Sequence, residues 1–364
     1  MASAPTLLLT GATGLVGRLL AERLRNSRPD LRLLLLTRCR NRIAPQLVGR
    51  GVEILEGDIT LPGLGLDREQ LRRLEADVTE VIHCAADTRF GLPLETARAS
   101  NVTGTATLLE IARQCRRLEK FAHVSTVYVA GRTAGRIQAV YRGHDNGYVN
   151  TYQQSKHEAE KRVVEMSGEL PAAIYRFSSL VGHSRSGAVE QFNYVHQLIK
   201  LLPRNPLPVV PADPDVPVDL IATDVAADTF TELYESNFVS GQVHQICTGA
   251  ERSLRVRQVI DRTVAIFDCH PKARRWLPLR VPELIPTEEF ERFIERRLKE
   301  HDDALLRELL RATSFFLPHL AIRQEFDNES TRTAMDRFNV PPIAEVFDRV
   351  VTYCIDTNWG VAPP

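Results

Sequence analysis

Short apolar runs alternate with longer amphipathic stretches through the first half of the chain, and the two periods mark strands and helices in turn. Thr6–Leu9 reads as a first buried strand, and Gly14–Leu24 follows with apolar residues at helical spacing. Leu31–Leu36 and Val52–Leu55 read as the second and third strands. Val78–Cys84, Lys120–Val129 and Ala172–Ser178 continue the series, with helical patterns over Ala97–Cys115 and Thr151–Met166 between them. This rhythm predicts an α/β fold with a doubly wound parallel sheet. After Gly182 prolines at 203, 206, 208, 211, 214 and 217 break regular structure. The expected division is a sheet domain over 1–182, then a mixed region over 183–364. That region holds late sheet elements at about 217–250 and a smaller, mostly helical substrate-binding lobe. Glu288–Arg311 predicts one long helix, with Phe290, Phe293, Ile294, Leu298, Leu305 and Leu309 along one stripe. It either docks on the core or forms a lid.

Composition narrows the class. With 364 residues, 43% hydrophobic and 25% charged, the chain can bury one large core, or one core with an appended lobe. Lys and Arg number 46 against 46 Asp and Glu, so nothing electrostatic points to nucleic acid or an anionic membrane. Cys39, Cys84, Cys115, Cys247, Cys269 and Cys354 are scattered without a C-x-x-C pair. Neither a metal site nor a disulfide framework is expected. No leader pattern opens the chain and no apolar run nears the roughly 20 residues that cross a bilayer. A soluble cytoplasmic protein with reduced thiols is the expectation.

Chemistry enters at the first turn. Thr10-Gly11-Ala12-Thr13-Gly14-Leu15-Val16-Gly17 sets three glycines between a strand and a helix, spaced G-x-x-G-x-x-G rather than G-x-G-x-x-G. Gly11 allows the turn, Gly14 lets the backbone approach a pyrophosphate, and Gly17 permits close helix packing. Thr10, Thr13, Leu15 and Val16 complete a cradle at a helix N-terminus rich in N–H donors. Farther on, Tyr152 and Lys156 stand four residues apart on one helical face, where an ammonium can depress a phenol. A phenol shifted down from about 10 becomes a usable acid or base near neutrality.

On these residues the chain resembles the extended short-chain dehydrogenase/reductases, and within them the thioester reductase and fatty acyl-CoA reductase group of male-sterility type. The likeness includes Leu36-Thr37-Arg38, Glu56-Gly57-Asp58-Ile59, His83-Cys84-Ala85-Ala86 and Asn101-Val102-Thr103-Gly104-Thr105. It continues through Val124-Ser125-Thr126, the Tyr152/Lys156 pair and Tyr175-Arg176 to Val181-Gly182. Phe326-Asp327-Asn328 resembles a C-terminal segment of fatty acyl-CoA reductases. The resemblance implies a Rossmann-like sheet in which Lys156 holds the nicotinamide ribose and a hydroxyl ending the fifth strand binds the substrate oxygen. Thr126 is the aligned hydroxyl, and a register shift of one residue would select Ser125 instead. It further implies that Asp58 and Ile59 meet the adenine and that Ala85 and Ala86 lie beside the adenosine and pyrophosphate. Asn101 braces the site, and Ser125, Phe177 and Ser179 border the cofactor. After the second strand come Thr37-Arg38-Cys39-Arg40, with Arg42 close behind and no carboxylate among them. Cations there suit a 2′-phosphate, which favours NADPH over NADH.

The reaction implied is hydride delivery to an acyl thioester presented by CoA or a carrier protein. Thr126 and Tyr152 stabilise the oxygen, Tyr152 donates a proton and Lys156 keeps the phenol acidic. The product is an aldehyde, or a primary alcohol after a second hydride. Two departures touch the nicotinamide side: Phe177 stands where thioester reductases usually carry proline, and His183 where they carry an acid. Ser184, Arg185 and Ser186 read either as a phosphate contact or as a surface turn. Two alternatives stay open: another extended reductase or epimerase acting on a ketone, steroid or nucleotide sugar, and a non-catalytic NADP-binding regulator.

Overall fold

The computed structural model describes residues 4–202, 208–276, 279, 281–300, 304–335 and 338–361. Pro203 and Pro206 lie outside the described residues. Seven strands form the central sheet: β1 Thr6–Thr10, β2 Arg32–Thr37, β3 Val52–Glu56, β4 Glu80–His83, β5 Lys120–Thr126, β6 Ala172–Phe177 and β7 Val243–Ile246. Every pairing is parallel, in the order β7-β6-β5-β4-β1-β2-β3. The fold is a Rossmann-like doubly wound sheet, and β7 extends it with a strand from the second half of the chain. Its strands are largely apolar because both faces are covered. Leu7, Leu9, Leu33 and Leu35 pack on one side with Phe230 and Tyr234; Leu8, Leu34 and Leu36 pack on the other with Leu108 and Phe121.

The principal helices are α1 Leu15–Ser27, α2 Arg68–Asp77, α3 Gly104–Gln114, α4 Thr151–Glu165, α5 Tyr194–Leu201, α6 Thr223–Ser236, α7 Val256–Cys269, α8 Thr287–Glu300, α9 Ala304–Thr313 and α10 Ile343–Asp356. A separate cluster gathers Ile199, Leu220, Phe267, Phe347, Val350 and Val351, so α5, α7 and α10 share a second core. Between α4 and β6 runs a buried bidentate ion pair, Arg176 to Glu160 at 2.9 and 2.6 Å.

Three expected elements end differently. β5 stops at Thr126 rather than Val129, because the Thr126 hydroxyl accepts the Tyr128 N–H (3.3 Å) and caps a 3-10 turn over Val127–Ala130. The helix expected over Ala97–Cys115 is Leu94–Arg98, then a π turn at Ala99–Thr103, then α3. The helix expected over Glu288–Arg311 is described as α8 and α9, with residues 301–303 outside the described set. The side chains of Leu305 and Leu309 lie outside it too. Phe290, Ile294 and Leu298 pack with Ile285, Val209 and Leu306. α8 therefore docks on the paired strands Val209–Pro211 and Glu283–Ile285.

Candidate active site

The β1–α1 turn is built so that two of its glycines serve the fold and one does not. Gly11 has φ +80°, and a Cβ on it would come within 2.6 Å of the Ala85 nitrogen. A Cβ on Gly17 would come within 2.3 Å of the Gly11 carbonyl. Gly14 has φ −91° and ψ 166°, which any residue adopts, and a Cβ there would meet only the Gly11 carbonyl at an ordinary 3.5 Å. The bare backbone at Gly14 is not required by packing inside the protein. It is the N-cap of a 13-residue helix that has no side-chain cap, so the first-turn N–H groups face outward over it. That combination fits a pyrophosphate.

Thr10 ties this turn to β4. Its hydroxyl is 2.8 Å from His83 Nδ1 and accepts the Ala85 N–H at 3.2 Å. Ala85 and Ala86 follow β4 directly, beside Gly11. Asp58 holds its own loop, accepting the N–H and hydroxyl of Thr60 at 2.9 and 2.8 Å, and Ile59 is buried. At the end of β2, Arg38 is exposed, and its charge helps hold the Asp87 carboxyl low, behind the larger effect of Arg89. Arg40 differs from expectation. Its guanidinium donates to the Ile54 carbonyl at 3.0 Å and its N–H to Glu56 at 3.2 Å, so β3 already occupies it.

On the other side of β4, the proton-transfer candidates converge. Thr126 ends β5, and its hydroxyl acts on the Tyr152 phenol strongly enough to lower its pKa. Tyr152 is half-buried as a whole, yet desolvation of its hydroxyl pushes the phenol up to about 12, opposed by Thr126. Lys156 is buried, and burial pulls its ammonium down to about 8, against the favourable charge of Glu160. Lys156 does not touch the phenol: Nζ donates to the Val124 carbonyl at 2.8 Å and lies 3.2 Å from His123 Nε2. The expected depression of the phenol by the ammonium is thus absent, because Lys156 is held on β5. Ser125 is buried with no protein partner for its hydroxyl among the described residues. Asn101 stands where the π turn carries it inward: Nδ2 donates to Ser155 (2.9 Å) and the Asp87 carbonyl (3.0 Å), and Oδ1 accepts the Asp87 N–H (2.7 Å). Single π turns of this kind cluster at functional sites.

One expected contact falls elsewhere. Phe177 buries its ring against Phe230 rather than facing the cleft. Ser179 closes a ring of hydroxyls with Tyr128 (2.9 Å) and Tyr194 (2.6 Å). His183 and Ser184 form a fastened turn: Ser184 donates its N–H and hydroxyl to Asp224 at 2.8 and 2.6 Å, and His183 Nδ1 accepts the Arg185 N–H at 3.3 Å. In the Phe326-Asp327-Asn328 segment, Asn328 donates to the Cys247 and Thr248 carbonyls at 3.0 and 3.2 Å, pinning the C-terminal part to the end of β7.

Sequence reasoning missed the aromatic passage beside Tyr152. The Phe90 ring lies 5.7 Å from that of Tyr152 and 6.2 Å from that of Tyr194. Tyr194 in turn lines an apolar cavity of about 150 Å³, walled by Leu198, Ile199, Val256, Ile260, Leu317 and Phe326. No residue of α8 is among its described lining residues. Nothing in the spacing of Phe90 and Tyr194 along the chain announces the pair.

Residues 9–230 match the profile of the NAD-binding male sterility protein family. Fatty acyl-CoA reductase 1 of Rattus norvegicus is 30% identical over 276 residues, 61% of this chain and 53% of that protein. The chain spans about half the length of the curated relatives it matches. Among solved structures, the terminal R domain of the myxalamid PKS-NRPS biosynthetic pathway is 25% identical with a TM-score of 0.78, covering 100% of this chain and 94% of that one. A thiolation-reductase di-domain from an archaeal non-ribosomal peptide synthetase, 20% identical, shares the fold with a TM-score of 0.71 over 98% of this chain and 76% of that one.

Proposed function

The chain belongs to the male sterility protein family of extended short-chain dehydrogenase/reductases, and from that premise we propose that it is an NADPH-dependent reductase of acyl thioesters. The observation that supports this most is the convergence of Thr126, Tyr152 and Lys156, with Phe90 between Tyr152 and Tyr194 and Tyr194 lining an apolar cavity. We divide the chain by role at Gly182, residues 1–182 holding the dinucleotide and 183–364 supplying the last sheet strand and the acyl-binding lobe.

Gly11, Gly14 and Gly17, with Thr10, Thr13, Leu15 and Val16, hold the pyrophosphate; Asp58, Ile59, Ala85 and Ala86 border the adenosine; Asn101, Ser125 and Ser179 brace the nicotinamide end. A bound reduced nicotinamide supplies the hydride. Thr126 and Tyr152 aim two hydroxyls at the thioester oxygen, where negative charge develops. Tyr152, raised to about 12, keeps its proton through the neutral range until the alkoxide takes it. The tetrahedral product then releases a thiol and leaves an aldehyde, which a second round converts to a primary alcohol. Lys156 keeps a positive charge below about pH 8, one helical turn from Tyr152. The fatty acyl-CoA reductase relatives and the di-domain carrying a thiolation unit support CoA or a carrier protein as the thiol, and the apolar cavity receives the acyl chain. A cytoplasmic location belongs to the same reading, since all six cysteines are free thiols.

The test is NADPH oxidation followed in the near ultraviolet with acyl-CoA thioesters of graded length, beside ketones and nucleotide sugars, with products identified by mass. Thioester-dependent oxidation yielding aldehyde or alcohol is the expected result. Turnover of a ketone or sugar alone replaces the proposal with the broader reductase or epimerase class. Preference for NADPH rests on Arg38, since Arg40 is engaged on β3. Arg38→Ala is expected to raise the KM for NADPH about tenfold and that for NADH less than twofold, the loss of one charged phosphate contact. Arg40→Ala has the smaller effect on the ratio. Equal weakening of both dinucleotides by Arg38→Ala would remove the phosphate contact from the account.

A further inference from the structure

Two buried histidines lie side by side on β4 and β5, and only one is fully satisfied. His83 and His123 are register partners, with ring centroids 5.4 Å apart. His83 spans two threonines: Nδ1 is 2.8 Å from the Thr10 hydroxyl and Nε2 is 2.9 Å from the Thr105 hydroxyl. Thr105 donates its own proton to the Asn101 carbonyl at 2.7 Å, so it accepts from His83 Nε2–H, and His83 Nδ1 accepts from Thr10. His83 is thereby a neutral strut between the glycine turn and the helix carrying Asn101.

His123 has a different arrangement. Its Nε2 is 3.2 Å from Lys156 Nζ, and Nδ1 has no protein partner among the described residues, although the ring is buried. An ammonium has only donors, so Nε2 accepts and the ring proton sits on the unpartnered Nδ1. A buried donor without a partner is costly, and an imidazole kept only for packing would be replaced by an apolar ring at no loss. Among the described residues, its ring makes its one hydrogen-bond contact with Lys156.

We infer, on the reading of the site given above, that His123 is a positioning residue which holds the Lys156 ammonium against the Val124 carbonyl and stabilises its charged form. The titratable groups facing Lys156 are His123 on β5, His83 and Cys84 at the end of β4, and Tyr152 and Glu160 on α4. Burial keeps His83 and His123 neutral at physiological pH and holds the Cys84 thiol up near 12. Glu160 is paired with Arg176. His123 is therefore the neutral side-chain acceptor that faces Nζ, beside the Val124 carbonyl. Removing it takes away a hydrogen bond that the ammonium makes more strongly than the neutral amine, so the affinity of Lys156 for its proton falls.

The experiment is a titration of the six lysines by NMR of protein made with 13Cε-lysine, the Lys156 resonance assigned through Lys156→Arg. His123→Phe keeps a flat ring and has no acceptor; His123→Gln carries an amide oxygen to the region of Nε2. The expected result is a Lys156 midpoint lowered by about one unit or more in His123→Phe and returned toward the wild-type value in His123→Gln. Where His123→Phe fails to fold, His123→Leu takes its place. An unchanged midpoint in the folded acceptor-free variant overturns the inference, as does an equal drop in His123→Gln, which would make the effect one of packing. The titration needs no turnover. Absence of thioester reduction by the wild-type protein would therefore overturn the proposed function separately, and a parallel fall of the alkaline limb of kcat supports both.

Discussion

Tyr152→Phe is expected to lower kcat by about three orders of magnitude while leaving dinucleotide affinity within about twofold. Only the phenol oxygen is removed. The ring keeps its place beside Phe90, 5.7 Å between centroids, and what is lost is the hydroxyl on which Thr126 acts. The rest of the cradle stays intact: the glycine turn, the Asn101 brace and Lys156 on Val124 depend on other atoms. A hydroxyl held at about 12 carries its proton across the working pH range, and without it Thr126 alone faces the developing charge. Steady-state turnover with an acyl-CoA and dinucleotide titration by fluorescence separate the two effects. Loss of affinity together with turnover, or a collapse in Tm, would assign Tyr152 to structure instead.

The glycine turn offers the second large effect, with opposite outcomes at two positions three residues apart. Gly17→Ala is expected to destabilise the fold by about 1–3 kcal/mol or more, because its Cβ would stand 2.3 Å from the Gly11 carbonyl and 2.7 Å from the carbon behind it. Both atoms are backbone, so relief requires moving the turn or tilting α1 away from β1. Gly14→Ala is expected to leave Tm nearly unchanged, since its φ of −91° and a 3.5 Å contact accommodate a methyl group. That methyl instead fills the approach to the first-turn N–H groups, and dinucleotide affinity is expected to fall at least tenfold. Thermal melts and dinucleotide titrations on the two variants decide it. Equal melting losses, or full binding by Gly14→Ala, would show that the turn does not cradle a phosphate.

The site was legible where its chemistry is carried by neighbours in the chain. Thr10 through Gly17 is one turn, and Tyr152 and Lys156 are one helical step apart. The bond from Arg40 to the Ile54 carbonyl was not legible, because that carbonyl belongs to β3 and meets Arg40 only once β2 and β3 pair. Phe177 was placed at the cofactor by likeness, but alternation along β6 and packing against Phe230 turn its ring into the core. The inward position of Asn101 depends on a π turn that no residue type in Ala99–Thr103 signals.

By itself the sequence determined the order of strands and helices, the parallel sheet, the glycine turn and the family, because period, chirality and turn chemistry act over a few residues. Tertiary structure alone decided which of those residues meet. It put His123 rather than Tyr152 against Lys156, joined Phe90 to Tyr194 across a span of about a hundred residues, and set an apolar cavity against Tyr194. Side-chain hydrogen bonds and ring contacts need angstrom-level placement between distant segments, and that placement comes only from packing the sheet and the C-terminal helices around their two cores.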